Sequence, residues 1–282
     1  MPELPEVESV AISLRPVVVH RKIRAVEVFH PIATLPQRPT HVSKLLTNRH
    51  ITSVQRKGKY LFVLLDNKAA IEIHFRFDGQ LIRFANAKDL AARANKESEK
   101  SGVHVDVALE LDQGVIAFAD GRHLGRVHAW ESLEACPPYN ALGIDAFSPE
   151  FTARTFTQLL SKSRRPLKEF LLDQSRIAGI GNIYSCEALW HARLSPFRLA
   201  NSLKPNQSRG LHKAIVSVLR RALECCLNPP PNFSDTGWWF QGIEDILRVY
   251  QREGEPCRRD GHPIQRTTRG NRSTYFCAHC QK

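Results

Sequence analysis

The sequence predicts an α+β protein with an N-terminal antiparallel β-sandwich, a helical C-terminal half and a short cysteine-bearing hairpin. Between about residues 15 and 130, short runs rich in Val, Ile and Phe alternate with turn formers, which is typical of antiparallel strands. After Ser148 the segments become longer and helical in pattern, and three cysteines lie in the last 26 residues. With 282 residues the chain is longer than one hydrophobic core usually holds, so we expect two domains.

In the N-terminal half, a leading helix is predicted at 7–14. The predicted strands are 22–29, 51–55, 60–66, 70–75, 80–84, 103–111 and 115–119. The polar stretch 85–102 is predicted to be a solvated loop.

In the C-terminal half, prolines and lost periodicity around 136–149 predict a linker, and the Pro-rich stretch 228–240 a loop. The predicted helices are 150–162, 166–173, 182–192 and 206–227. The expected domains are a β-sandwich at 1–135, a linker at 136–148, a helical domain at 149–240 and a hairpin at 241–282.

The charge balance predicts a polyanionic partner. Forty Lys and Arg oppose 28 Asp and Glu, a net charge of +12, so nucleic acid is the first candidate and an anionic membrane surface the second. Apolar runs are far shorter than the roughly 18 residues of a spanning helix. The N-terminus lacks a signal pattern and the seven cysteines do not form a secreted framework, so a cytoplasmic setting is expected. A monomer is also expected, although no sequence feature argues for it.

The first residues suggest an amine nucleophile. Initiator Met is normally removed before a small residue, which would expose Pro2 as a secondary amine. An α-amino group has a pKa of about 8, so a sizeable fraction is neutral near pH 7 and able to form a Schiff base with a sugar carbon. The neighbouring Glu3 could transfer protons at that sugar.

The opening Met-Pro-Glu-Leu-Pro-Glu-Val-Glu resembles the N-terminus of the formamidopyrimidine-DNA glycosylase and endonuclease VIII family. The resemblance implies that Pro2 is the catalytic nucleophile and Glu3 the acid/base residue. Leu4 and Pro5 are closer to the formamidopyrimidine-DNA glycosylase branch.

Two basic positions in the strand region follow the same family. Arg-Lys-Gly-Lys-Tyr-Leu, beginning at Arg56, resembles a motif in which Lys59 contacts the phosphate beside the lesion and lies near the scissile sugar. A plain basic strand edge formed by Lys57 and Lys59 is the alternative interpretation. By the same resemblance His74, in His-Phe-Arg-Phe-Asp-Gly, contacts phosphate, although a lone strand histidine is more often structural.

The run at 171–184, ending Gly-Ile-Gly-Asn-Ile-Tyr, is the strongest match, and resembles the family's helix-two-turn-helix element. Gly179 and Gly181 permit a tight turn, whose backbone N–H groups are expected to cradle a phosphate together with the next helix N-terminus. Asn182 is expected to donate a side-chain hydrogen bond to phosphate.

The C-terminal cysteines resemble the family's zinc finger, with one departure. Cys257, Cys277 and Cys280 stand at family positions, but Asp260 replaces the second cysteine. Either Asp260 or His262 could complete a tetrahedral zinc site, and we favour His262 because imidazole commonly accompanies three cysteines. A metal-free hairpin held by packing is the alternative. At the hairpin tip Arg272 takes the place of a phosphate-gripping arginine.

A second departure concerns the side chains that fill the space left by an extruded base. The family uses a Met and an Arg-Phe pair, where this sequence has Phe77 and then His123 and Leu124, preceded by Arg122. Phe77 and Leu124 remain suited to insertion into a base stack. A histidine offers fewer fixed donors than arginine, so the choice of opposite base is open.

The resemblance covers nearly the whole chain and implies double-stranded DNA with damaged bases or abasic sites, bound in a basic cleft, as the substrate. It implies a bifunctional DNA glycosylase and AP lyase of base excision repair that removes 8-oxoguanine or formamidopyrimidines and cuts by β-elimination. The alternatives are an endonuclease VIII-like enzyme for oxidised pyrimidines and a catalytically silent protein that binds lesions or unusual DNA structures.

Overall fold

The computed structural model describes residues 2–94, 104–234, 243–269 and 271–282. These residues form two compact units. The first contains Pro2, the described residues between 6 and 140, and residues 229–234. The second contains residues 3–5, 141–228 and the described residues from 243 onward.

The first unit is the predicted antiparallel sandwich. One four-stranded sheet has the order β1 (Ile23–Val28), β6 (Val105–Leu111), β7 (Val115–Ala119) and β5 (Gln80–Phe84). The other has the order β2 (Ile51–Lys57), β3 (Tyr60–Leu65), β4 (Ala70–His74) and β8 (Arg126–Trp130). Three helices accompany them: α1 (Leu4–Val18), α2 (Pro39–Leu46) and α3 (Ala87–Arg93).

The core of this unit lies between the two sheets and one face of α1. Its buried side chains recur at helical spacing along α1 and come from both sheets; they include Val7, Val10, Leu14, Leu61, Val63, Val107 and Leu109. Fully burying a Val or Leu side chain contributes roughly 1.5–3 kcal/mol, so this shared core is what holds the sheets together. The sandwich and the leading helix are confirmed.

Two α-helices and one β-strand of this unit's sandwich region were not predicted. The polar stretch expected as a loop contains α3, because Asn86 caps the helix by accepting a hydrogen bond from the Asp89 N–H at 3.0 Å. The rest of that stretch, residues 95–102, and the predicted strand start at Val103 lie outside the described residues. Helix α2 and strand β8 are the other additions.

The second unit is helical. It contains α5 (Ala153–Ser161), α6 (Leu167–Leu172), α7 (Asn182–His191) and α8 (Pro205–Cys226), followed by the hairpin β11 (Gln265–Arg269) and β12 (Arg272–Phe276). Along α8 the buried side chains Leu211, Ile215, Leu219 and Ala222 form the apolar stripe that packs into the unit's core. Within the described ranges, every helix is too short or too polar to cross a lipid bilayer.

The predicted linker and loop have more specific structures. The stretch 136–149 contains the short helix α4 (Pro137–Ala141) and strand β9 (Ile144–Asp145), which pairs in parallel with β10 (Ile177–Ala178). In the predicted loop at 228–240, residues 228–234 have neither helix nor strand. The remainder of that loop, with both tryptophans, lies outside the described residues.

Candidate functional site

The carboxylate of Glu3 is fixed at the N-terminus of α7. It accepts hydrogen bonds from the N–H groups of Gly181 at 2.7 Å and Ile183 at 2.8 Å, with Tyr184 at 3.4 Å. These are the groups that a helix leaves without intrahelical partners, and they carry the positive end of its dipole. Glu3 is 1% exposed, so its orientation is set by the helix and not by solvent.

Two glycines make room for this arrangement. Gly179 has a φ of +108°, and its carbonyl accepts from the Leu4 N–H at 3.2 Å. A Cβ on Gly181 would overlap the Glu3 carboxylate. The turn therefore admits the chain's first residues. The expectation that its N–H groups cradle a phosphate is wrong for Gly181, Ile183 and Tyr184, which already donate to Glu3.

Pro2 directly precedes this fixed carboxylate and is itself buried. The peptide bond makes Pro2 and Glu3 adjacent along the chain. The candidate nucleophile and the candidate proton carrier are thus consecutive residues of the sequence.

The two lysines before Tyr60 have different surroundings. The Nζ of Lys57 donates to the Tyr139 carbonyl at 2.9 Å and lies 4.3 Å from that ring's centre. Lys59 follows Gly58, whose φ is +60°, in the turn between β2 and β3, and is 7% exposed. The ammonium of Lys57 is thus bound by Tyr139. The charge of Lys59 lies close enough to His74 to lower the pKa of that histidine.

His74 is held as a neutral donor. Burial, with Arg76 and Lys59 nearby, lowers the pKa of His74 to about 3. The N–H of Arg76 donates to Nδ1 of His74 at 3.1 Å, so the ring's proton resides on Nε2. A neutral imidazole with an Nε2–H group can donate a hydrogen bond to a phosphate oxygen without carrying a charge.

Phe77 and Leu124 are exposed apolar side chains on two turns of the first unit, with 48% and 41% of their surface accessible. The guanidinium of Arg122 lies 5.1 Å from the centre of the Phe77 ring and forms an ion pair with Asp78. Arg122 therefore joins the two turns and leaves both apolar tips presented to solvent.

His123 points inward. Its Nδ1 lies 2.5 Å from Oδ1 of Asp106, a fully buried carboxylate, and its ring centre is 4.5 Å from that of His30. The alignment of His123 with an arginine predicted that it would lie with Phe77 and Leu124. In the structure His123 instead contacts Asp106, whereas Phe77 and Leu124 are exposed. The backbone at His123 has a positive φ of +52°.

Asn182 begins α7, and its side chain lies close to Tyr250, but its buried Oδ1 has no hydrogen-bond partner among the described residues. Tyr250 is held by Glu187, five residues after Asn182 in α7. The carboxylate of Glu187 accepts hydrogen bonds from the N–H groups of Arg248, Val249 and Tyr250 at 2.8–2.9 Å. Burial raises the pKa of Glu187. Tyr250 was missed by sequence reasoning, because no motif connects it to Asn182.

Arg272 is exposed at the start of β12. The next two residues are anchored by Lys168, a buried residue of α6 whose Nζ donates to the Ser273 carbonyl at 2.6 Å and to Oγ1 of Thr274 at 2.8 Å. Sequence reasoning missed Lys168 as well. Its ammonium fixes the hairpin strand that presents Arg272.

The candidate metal centre consists of Cys257, Asp260, Cys277 and Cys280. One ligand atom from each lies within 4.8 Å of all the others. Sγ of Cys257 is 4.0 Å from Sγ of Cys280, close to the roughly 3.8 Å that separates two sulfurs on one tetrahedral zinc. Asp260 has both oxygens 3.5 Å from Sγ of Cys277. Three thiols and a carboxylate in this arrangement fit one structural zinc ion.

Donors around the cluster favour thiolates. The indole Nε1 of Trp190 donates to Sγ of Cys257 at 3.3 Å, and Arg259 donates to Sγ of Cys280 at 3.1 Å. The guanidinium of Arg259 also lies 3.9 Å from the centre of the Trp190 indole. Such outer contacts orient the ligands and stabilise their charge.

The preference for His262 as fourth ligand gives way to the alternative, Asp260. His262 lies outside the four-residue cluster, and its ring stacks on His279 with 3.8 Å between centres. Nδ1 of His279 lies 3.0 Å from Oδ2 of Asp260. The Cys-x2 spacing brings residue 260 back to the cysteines, and the Gly261 N–H closes this turn on the Cys257 carbonyl at 2.8 Å.

Comparisons with known proteins agree along the whole chain. Residues 1–127 match the formamidopyrimidine-DNA glycosylase N-terminal domain, and residues 142–227 match the formamidopyrimidine-DNA glycosylase H2TH domain. Residues 254–282 match the zinc finger found in FPG and IleRS.

Whole-chain relatives give the same result. The formamidopyrimidine-DNA glycosylase of Chloroflexus aurantiacus is 38% identical, with 100% of this chain and 98% of the relative covered. That of Herpetosiphon aurantiacus is 36% identical over 100% of both chains.

Among solved structures, the Lactococcus lactis Fpg (MutM) protein in complex with DNA containing N7-benzyl-Fapy-dG has a TM-score of 0.84 at 28% identity, over 100% of both chains. The MutM (Fpg) protein of Thermus thermophilus has a TM-score of 0.81 at 33% identity, covering 99% of this chain and 98% of that one. With its sandwich, its H2TH helices and its zinc-finger hairpin, the chain belongs to the formamidopyrimidine-DNA glycosylase family.

Proposed function

We propose that this protein is a bifunctional DNA glycosylase and AP lyase of base excision repair that acts on oxidised bases, with 8-oxoguanine and formamidopyrimidines as the expected lesions. The observation that carries the proposal is the Glu3 carboxylate, fixed on α7 directly after Pro2. An oriented acid beside a potential N-terminal amine is the minimum that this chemistry requires.

In the proposed reaction, the Pro2 nitrogen, freed by removal of Met1, attacks C1′ of the damaged nucleotide and the bond from C1′ to the base breaks. The ring of the sugar opens to give a positively charged Schiff base between C1′ and Pro2. Loss of a proton from C2′ then expels the 3′ phosphate by β-elimination, and water releases the enzyme. Glu3 is placed to move protons at the sugar, in keeping with its fixed orientation.

DNA contact is assigned to the remaining residues. Lys59, as an ammonium, and His74, as a neutral Nε2–H donor, would bind phosphates near the lesion, with Asn182 and Arg272 binding further phosphates. Exposed Phe77 and Leu124 would fill the gap left by the flipped base, steadied by Arg122. His123, which faces Asp106, would reach DNA only after leaving that carboxylate.

The domain roles follow the same proposal. Residues 1–135 would carry the chemistry, 136–148 would connect, and 149–240 and 241–282 would grip DNA through the helical element and the hairpin. Since the substrate is chromosomal DNA, we place the protein on the nucleoid in the cytoplasm, acting as a monomer.

The test is borohydride trapping on a duplex with an abasic site. Reduction during turnover should give a covalent protein–DNA adduct that mass spectrometry assigns to Pro2, and a variant that retains Met1 should bind the duplex without being trapped. An adduct confined to a lysine would refute the proposal, and no adduct at all would favour the catalytically silent alternative.

Substrate preference needs a separate panel. Duplexes with 8-oxoguanine, formamidopyrimidine, thymine glycol or dihydrouracil, each opposite all four bases, would be compared under single-turnover conditions. Faster excision of the two purine lesions supports the proposal, whereas faster excision of the pyrimidine lesions identifies an endonuclease VIII-like enzyme.

A further inference from the structure

Two histidines approach one buried carboxylate at the ends of neighbouring strands in one sheet of the sandwich. Asp106 lies on β6, between β1 and β7 in the sheet. His30 follows β1, and its N–H donates to the Asp106 backbone carbonyl at 3.2 Å. His123 follows β7 and places Nδ1 2.5 Å from Oδ1 of Asp106. Adjacent strands therefore deliver all three residues to one point.

The carboxylate at this point is only half satisfied. The side chain of Asp106 is 0% exposed, and its Oδ2 has no hydrogen-bond partner within the part of the chain that the structure describes. The nearby buried Asp120 differs, because it accepts from the N–H groups of Arg122, Leu124 and Gly125. Burying a carboxylate oxygen without a partner is unfavourable, and a cation at Oδ2 would compensate for it.

The groups around Asp106 are ones that bind metal ions. One ligand atom from each of His30, Asp106 and His123 lies within 4.8 Å of the other two. Ligands on one tetrahedral zinc lie about 3.3 Å apart, so no pair of these atoms would have to approach by more than about 1.5 Å. We propose that His30, Asp106 and His123 form a second metal site, which takes a divalent transition-metal ion such as Zn²⁺.

The site differs in kind from the hairpin's. It has two nitrogens and one oxygen with no thiolate, so it should bind metal more weakly than the cysteine cluster and leave positions for water. The His123 side chain is 30% exposed and His30 is half-buried, so an ion can enter from solvent while Asp106 remains covered. His104, whose ring centre is 6.3 Å from that of His123, is not a member of the ligand group.

The test is calorimetric titration of the full-length protein with Zn²⁺, after metal analysis has established that the hairpin is loaded. We expect one further equivalent to bind. His30→Ala and His123→Ala should each weaken this second binding at least tenfold, and should leave the hairpin zinc in place. His50→Ala is the matched control, because it removes a histidine from an exposed pair with Asp66, 3.1 Å apart, that belongs to no three-ligand group among the described residues.

Absence of a second equivalent in the wild-type protein, or equal binding by both variants, overturns the proposal. If either variant fails to fold, NMR of the wild-type imidazole nitrogens decides, since added Zn²⁺ should shift the signals of His30 and His123 and not those of His50. Shifts confined to other histidines would refute the site.

Discussion

The start of α7 and the turn at residues 120–125 are built alike. In each, one buried carboxylate accepts three backbone N–H groups: Glu3 from Gly181, Ile183 and Tyr184, and Asp120 from Arg122, Leu124 and Gly125. They differ in the origin of the acid. Glu3 is 178 positions from Gly181, whereas Asp120 lies inside its own turn.

The two sites should therefore differ in how well they tolerate amino-acid substitutions. The α7 arrangement needs the fold to bring residues 3 and 181 together, and the sequence keeps the family pattern there. The 120–125 turn holds itself, and there the sequence departs from the pattern at His123. A turn stabilised by its own carboxylate can change a tip residue at little structural cost.

The largest expected effect comes from Gly181→Ala. The added Cβ would overlap the Glu3 carboxylate, and displacing a catalytic group by about 1 Å can cost roughly 100-fold in rate. We expect a loss of about that size in single-turnover base excision. Gly210→Ala is the control: apart from the adjacent backbone of α8, no atom of the described residues lies within 4 Å of its Cβ position, so activity should be unchanged and stability should rise by about 0.5–1 kcal/mol. A wild-type rate of excision in Gly181→Ala would show that the position of the Glu3 carboxylate on α7 is not needed for activity.

Asp260, in the turn before the hairpin, is a third carboxylate to compare with Glu3 and Asp120. Asp260→Ala removes a predicted zinc ligand and should lower zinc affinity by at least the roughly 10- to 100-fold that loss of an outer-shell partner costs. His262→Ala should lower it less, because His262 lies outside the ligand cluster. Zinc competition with a chromophoric chelator measures both, and a larger loss in His262→Ala would restore the original preference.

Asp120→Ala tests the self-contained turn. Removing the acceptor for three N–H groups should lower the free energy of unfolding by about 2 kcal/mol, measured by urea denaturation. Asp78→Ala removes an equally local carboxylate that is 52% exposed and pairs only at the surface, so it should change stability by less than about 0.5 kcal/mol. Equal effects of the two variants would show that the N–H bonds of Asp120 contribute little.

The buried, neutral His74 provides a test of how stability depends on pH. Its pKa of about 3 lies below the 6.5 of an unfolded histidine, so between these values the unfolded state binds a proton that the folded state does not. Stability should therefore fall as pH falls through 6.5, with this residue contributing about 2 kcal/mol between pH 7 and 5. His74→Gln should lose that share of the pH dependence, and an unchanged profile would argue against a neutral buried imidazole.

The smallest expected effect is that of Phe77→Ala. The exposed ring contributes little to folding, so stability should change by less than about 0.5 kcal/mol. Affinity for a duplex with an abasic site should fall by about tenfold, because stacking on a base is worth roughly 1–3 kcal/mol. Ile32→Ala, which removes another exposed apolar side chain, should leave affinity unchanged. Equal losses would indicate a nonspecific surface effect.

The sequence predicted the sandwich, the helical half and the metal-binding hairpin, because periodicity and cysteine spacing are local signals. It did not predict the contact of Glu3 with α7 or of Asn182 with Tyr250, since no local pattern records which distant segments meet. The choice between Asp260 and His262 went the wrong way for a different reason. Ligand chemistry favoured histidine, whereas the length of the turn after Cys257 favours residue 260.

The hydrogen bond from Trp190 to Cys257 makes the indole an optical reporter of the zinc finger. A thiol, a free thiolate and a zinc-bound thiolate differ in how readily they give up an electron, and excited indoles are sensitive to such a neighbour. Trp190 is 6% exposed, so solvent contributes little to its emission. We therefore expect loading and removal of the hairpin metal to change the intrinsic fluorescence, on top of a constant contribution from the three other tryptophans.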